Sequence, residues 1–167
     1  MIDRALREKA AQVLELCRAR GLKVATAESC TGGLVAGALT EIAGSSDVVD
    51  RGFVTYSNDA KEAMLGVPPA TLARHGAVSA ETAAAMAVGA LEKSSADIVV
   101  AITGIAGPGG GTQQKPVGLV HFAAASRDGR NLARERRYGD VGRQSVREQS
   151  VAEALDLLAA LALQAEP

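Results

Sequence analysis

The stretch Thr26–Ala36, TAESCTGGLVA, changes character twice. Apolar residues lead into a polar patch, Glu28, Ser29, Cys30 and Thr31, after which Gly32 and Gly33 open a run of small apolar residues. LKVATAES, residues 22–29, reads as a buried strand, and GGLVAGALTEIA, residues 32–43, as a small-residue helix packed close to a sheet and broken by GSSD. A strand running through a short turn into a helix is the start of a layered α/β arrangement.

The pattern repeats outward from that junction. Residues 2–20 place Ile2, Leu6, Ala10, Val13, Leu14 and Cys17 at helical spacing, and Gly21 ends that helix. RGFVTYS, 51–57, is a second strand, followed by the short helix NDAKEAMLG with Ser57 or Asn58 as its cap. Pro68 and Pro69 open another helix, and Ser79 caps a longer one, SAETAAAMAVGALEKS. ADIVVAITG, 96–104, is a fully apolar strand ending in the glycine-rich loop IAGPGGGTQQKP. VGLVHFAAAS and NLARERRYG form a hairpin about Asp128-Gly129, with ARERRY as the charged face of an edge strand. A last helix spans Val141 to about Gln164. Alternating elements predict an α/β fold with parallel strand pairs and one antiparallel hairpin, in a single domain over residues 1–167.

Composition narrows the function. With 47% hydrophobic but 2% aromatic residues, the core is aliphatic and few rings exist to stack nucleobases. A net charge of −1 offers no basic excess for nucleic acid, and no basic, aromatic-rimmed face suits a membrane. The N-terminus lacks a signal-peptide core, and the longest apolar run, LDLLAALAL, is too short to span a bilayer. Cys17 and Cys30 make neither a disulfide framework nor a zinc spacing, so a reduced, cytoplasmic setting without metal or cofactor is expected.

The polar loops ESCTGG, YSNDAK and TGIAGPGGGT all follow strands, where ligands of α/β sheets gather, so one shared site is expected. Ser29 has the strand–turn–helix setting of an exposed nucleophile, although Ser29 or Thr31 would equally serve as a helix cap. His75 lies in a turn and His121 in mid-strand, neither near the shared loops, which disfavours a Ser-His-Asp arrangement. Lys61, five residues after Tyr56, stands in the first turn of a helix, where dipole and burial both depress its pKa and suit it to take a proton from serine; an ordinary solvated lysine is the alternative. Cys30 ranks below Ser29 as a nucleophile, because no histidine stands beside it. The glycines of 103–118 expose amides to an anion but match neither a Walker A loop nor a dinucleotide fingerprint, and a merely flexible loop has the same composition. Arg143 and Arg147 share a face near a helix N-terminus, an unfavourable place for two cations unless an anion lies between them; a solvated face is the alternative.

AESCTGGL, GSSDVVDRGFVTYSNDAK, GAVSAETAAAMAVGA, DIVVAITGIAGPGGGTQQKPVG and GDVGRQSVR, in this order and over most of the chain, resemble the CinA C-terminal-domain family, whose characterised members are nicotinamide-nucleotide amidases. The resemblance implies a three-layer α/β/α sandwich with a mixed, mostly parallel sheet. It also implies hydrolysis of nicotinamide mononucleotide (NMN) to nicotinate mononucleotide and ammonia, in pyridine nucleotide salvage. The family's serine, tyrosine and lysine map onto Ser29, Tyr56 and Lys61 without departure. On this expectation Glu28, Cys30, Thr31, Gly32, Gly33, Thr103, Gly104, Ala106, Gly107 and Arg143 contact substrate, with Glu28 either meeting the pyridinium charge or pairing with Lys61, and Arg143 with the glycine loop holding the 5′-phosphate. The chain is expected to be the stand-alone form, without the molybdopterin-related domain of longer members, and to form a homodimer.

Overall fold

The computed structural model describes residues 2–165. Its elements are α1 (Arg4–Ala19), β1 (Val24–Glu28), α2 (Leu34–Thr40), a 3-10 turn (Ser45–Asp47), β2 (Val49–Val54), α3 (Asn58–Leu65), α4 (Pro69–His75), α5 (Ala80–Glu92), β3 (Ile98–Gly104), β4 (Leu119–Ser126), β5 (Asn131–Arg137) and α6 (Arg143–Gln164). The sheet order is β2-β1-β3-β4-β5. β1 pairs in parallel with β2 and β3, whereas β3–β4 and β4–β5 are antiparallel, so β4 alone runs against the other strands.

Local chemistry sets the boundaries. Asp3, Ser57 and Ser79 accept the amides of Leu6, Ala60 and Thr82 and so start α1, α3 and α5. Pro69 occupies the opening turn of α4, where a missing N–H is harmless. The helix expected from Gly32 begins at Leu34, because Gly32 and Gly33 take positive φ of 60° and 96° and carry the chain around the turn.

Period-2 alternation divides the core into two layers. Val24, Ile98, Val100, Ile102, Val120 and Phe122 face α1, α2 and α6, whereas Ala25, Ala27, Val99, Ala101, Ala123 and Ala125 face α5 and the elements beside it. The result is a three-layer α/β/α sandwich. The second face is lined by small residues, which lets α5 lie close to the sheet. Where α5 meets the end of α3, the residue is Gly89, and a Cβ there would overlap the Leu65 carbonyl. Of β5, every residue but Leu132 is exposed, the solvated edge read from ARERRY. Among the described residues no helix is long and apolar enough to cross a membrane.

Candidate active site

β1 and β3 end side by side, and the turn 29–33 and the loop after Gly104 emerge together above them. Alternation along β1 decides where its last side chains go. Ala25 and Ala27 face the α5 layer, and Ser29, next in that series, meets Lys61 from α3 there. Thr26 and Glu28 point the other way, toward α2.

Lys61 is 1% exposed, and its Nζ lies 3.0 Å from Ser29 Oγ and 3.0 Å from the Thr55 carbonyl oxygen. Among the described residues no carboxylate pairs with it. Burial therefore pushes its pKa below the ordinary lysine value, opposed only in part by Cys30. A neutral amine suits this geometry. Nζ donates to the Thr55 carbonyl and to Ser29 Oγ, and when neutral its lone pair can instead accept from the Ser29 hydroxyl at the same distance. Burial pushes the Cys30 thiol up to about 12, so it carries almost no thiolate at neutral pH and is no nucleophile.

A cleft of about 220 Å³ opens over this pair, lined by Ser29, Cys30, Tyr56, Asn58, Lys61, Ala77, Val78, Thr103, Gly104, Ala106 and Arg143. Tyr56 stands at the rim, 60% exposed. Its hydroxyl accepts from Arg143 Nη2 at 2.8 Å, while Arg143 Nη1 donates to the Gly107 carbonyl at 3.0 Å. The guanidinium thus ties the tyrosine to the glycine loop. Thr103 Oγ1 donates to the Ala77 carbonyl at 2.6 Å and fixes the opposite wall.

Cys30, Thr103, Gly104, Ala106 and Arg143 therefore line the cleft with the three expected catalytic residues, and Gly107 braces it. Glu28, Thr31, Gly32 and Gly33 do not. Glu28 is fully buried on the far face, and its carboxylate accepts from Val35 N (2.8 Å), Ala36 N (3.1 Å) and Thr26 Oγ1 (3.3 Å). It caps α2, whose own N-cap position is a glycine with no side chain to offer. It neither meets the cleft nor pairs with Lys61. Thr31 is fully buried with its hydroxyl unpartnered, and Gly32 and Gly33 shape the turn. No anion is needed between the two arginines either: Arg147 spends its donors on the Cys30 and Thr31 carbonyls. His121 lies nearer than the sequence suggested, in register with Thr103, yet neither histidine lines the cleft. Asn58, Ala77 and Val78 are additions. Asn58 sits in the polar YSNDAK loop and could have been named. Ala77-Val78 follows a helix and not a strand, so strand-end reasoning passes over it.

Comparisons with known proteins bear on the family and the fold. The nicotinamide-nucleotide amidohydrolase PncC of Escherichia coli K12 is 52% identical over 159 residues, 95% of this chain and 95% of that one. A CinA-like protein of Mycobacterium marinum is 55% identical over 136 residues, 81% of this chain but 32% of its own. The crystal structure of the competence/damage inducible protein CihA from Agrobacterium tumefaciens superposes with a TM-score of 0.95 at 58% identity, covering 96% of this chain and 98% of that one. The model of the CinA C-terminal domain matches residues 6–162, and the chain belongs to that family.

Proposed function

We propose that the protein is an amidase that hydrolyses the carboxamide of NMN to nicotinate mononucleotide and ammonia, through an acyl-enzyme on Ser29. The observation that carries this reading is the 3.0 Å contact between Ser29 Oγ and a buried lysine amine that has no counter-ion among the described residues. The name of the Escherichia coli relative supports the choice of substrate.

The steps follow from the arrangement. Lys61 Nζ accepts the Ser29 proton as Oγ attacks the carboxamide carbon. The resulting oxyanion is met by the amide of Cys30, a residue that lines the cleft and whose N–H has no backbone acceptor among the described residues. The Lys61 ammonium returns its proton to the departing nitrogen, and ammonia leaves. Water then attacks the ester carbon, gives a proton to Lys61, and the carboxylate product separates as Ser29 regains its hydrogen. The site needs only one base because the same amine serves both halves. Tyr56, whose oxygen is occupied as an acceptor from Arg143, keeps its own O–H to donate to the substrate. Arg143 uses one N–H for Tyr56 and one for Gly107, and its remaining donors meet the 5′-phosphate.

The test is ammonia release from NMN by wild type, Ser29→Ala and Lys61→Ala, with NMN binding followed in parallel. Release by wild type and its loss in both variants, with binding retained, is the expected result. Full activity in Ser29→Ala would sink the acyl-enzyme. Nicotinamide riboside, which lacks the phosphate, is expected to react with a higher KM.

A further inference from the structure

Asn58 has no part in the steps above, although it lines the same cleft as Ser29 and Lys61. It is the first residue of α3, and Lys61, three residues on, shares its face of the helix. It does not cap that helix: Ser57 is the N-cap, and its hydroxyl accepts the Ala60 amide at 3.0 Å. The other polar side chains of the cleft are engaged. Ser29 and Lys61 meet each other, Thr103 donates to the Ala77 carbonyl, and Arg143 joins Tyr56 to the Gly107 carbonyl. The Asn58 side-chain amide alone among them has no hydrogen-bond partner among the described residues. It keeps a free acceptor on Oδ1 and two free donors on Nδ2.

The carboxamide that Ser29 attacks has needs of its own. Its carbon goes to Ser29 Oγ and its carbonyl oxygen to the Cys30 amide. Its NH2 group then requires an acceptor, because a donor left unmatched on binding is costly. The acid product makes the opposite demand: a carboxylate has two acceptor oxygens and no hydrogen to give. A neutral side-chain carbonyl on the wall of this cleft tells the two apart. A carboxylate in that place would do so as well, but it would set a negative charge near Lys61 and raise the pKa that burial holds down. Asparagine supplies the acceptor without the charge.

We propose that Asn58 is the residue that selects the carboxamide: its Oδ1 accepts an N–H of the substrate amide and meets the product carboxylate oxygen to oxygen. The proposal rests on the Ser29 acyl-transfer reading above, which puts the carboxamide in this cleft. The same contact fixes the rotation of the leaving nitrogen, which takes its proton from Lys61 on the same face of α3. Asn58 therefore holds the substrate, favours the departure of ammonia and speeds the release of the acid.

The experiment measures calorimetric binding of NMN and of nicotinate mononucleotide to Ser29→Ala, alone and combined with Asn58→Ala or Asn58→Asp. Ammonia release by the same Asn58 variants is followed across pH with Ser29 intact. In Asn58→Ala, NMN is expected to bind about tenfold more weakly, the order of one hydrogen bond, while nicotinate mononucleotide binds as well or better. Asn58→Asp keeps an acceptor of the same shape and so keeps the preference for the amide. The charged and titratable groups near Lys61 are otherwise Cys30, Tyr56 and Arg143 in the cleft and Asp59 and Glu62 on α3 itself. Adding a carboxylate to them moves the rise of kcat with pH upward by about one unit. Equal weakening of both ligands in Asn58→Ala would overturn the proposal, because it marks a contact with the ribose, the phosphate or the fold alone. So would unchanged binding of both, or a pH profile that stays in place in Asn58→Asp. Retained ammonia release by Ser29→Ala would instead overturn the acyl-enzyme, and Asn58 would then be decided by KM for NMN against inhibition by the acid.

Discussion

Two ionisable side chains are sealed on opposite faces of the sheet, Glu28 itself and the Lys61 that meets its neighbour Ser29, and they have opposite fates. Glu28 on the α2 face is surrounded by donors: two backbone amides at a helix start and one hydroxyl. Among the described residues, Lys61 on the α5 face hydrogen-bonds only a carbonyl and a hydroxyl. Equal burial gives a structural clamp in one case and, in the mechanism proposed above, a poised base in the other. The difference lies in the partners, because a buried charge persists only where opposite charge or dipole is supplied. The proposed mechanism depends on Lys61 lacking what Glu28 has.

The sharpest way to break the comparison is to remove the amine. Lys61→Met is expected to lower kcat by about 10³-fold or more while leaving the melting temperature unchanged or higher, since an apolar side chain of similar length replaces a buried amine. Calorimetry beside ammonia release reads both; a large loss of stability would mean that the lysine is structural. Next comes Arg143→Ala. It should raise KM for NMN about tenfold and shrink the preference for NMN over the riboside, which kinetics on both substrates measures.

Glu28→Gln tests the other side. It keeps the shape but leaves one α2 amide without its acceptor, and should cost about 2 kcal/mol in denaturant unfolding. An unchanged midpoint would show that the cap contributes nothing. The pH dependence of stability has a definite sign. The folded pKa of Lys61 is below its unfolded value near 10.5, so the unfolded chain binds the extra proton in the window between them. Stability therefore rises with pH through that window, a contribution that Lys61→Met should abolish. The smallest effect concerns the thiols. Burial pushes Cys17 and Cys30 both up to about 12, so native protein at about pH 8 should resist iodoacetamide while unfolded protein takes up two labels by mass spectrometry.

Much of this was legible before any coordinates. Element order, the Asp128-Gly129 hairpin and the gathering of three strand-end loops follow from periodicity and turn residues alone. The misplacement of Glu28 is instructive because the same periodicity already argued against it: residues 28 and 29 at the end of a strand point to opposite faces, so both could not enter one cleft. What no local pattern carried was long-range. That Arg147 reaches back to Cys30, or that Thr103 draws in Ala77 to form a wall, depends on how α6 and α5 dock, and pairs so distant in sequence leave no periodic trace.

Gly89 shows how far the catalytic requirement spreads. It lets α5 touch the end of α3 at Leu65, one turn beyond Lys61 on the same helix. Any larger residue would push α3 away from α5 and carry the amine with it. Position 89 thus works as a spacer that sets the reach of an amine it never contacts, the proton acceptor of the proposed mechanism. In a mutational scan scored on activity it should behave as an active-site position, although a map of distances from substrate would pass over it.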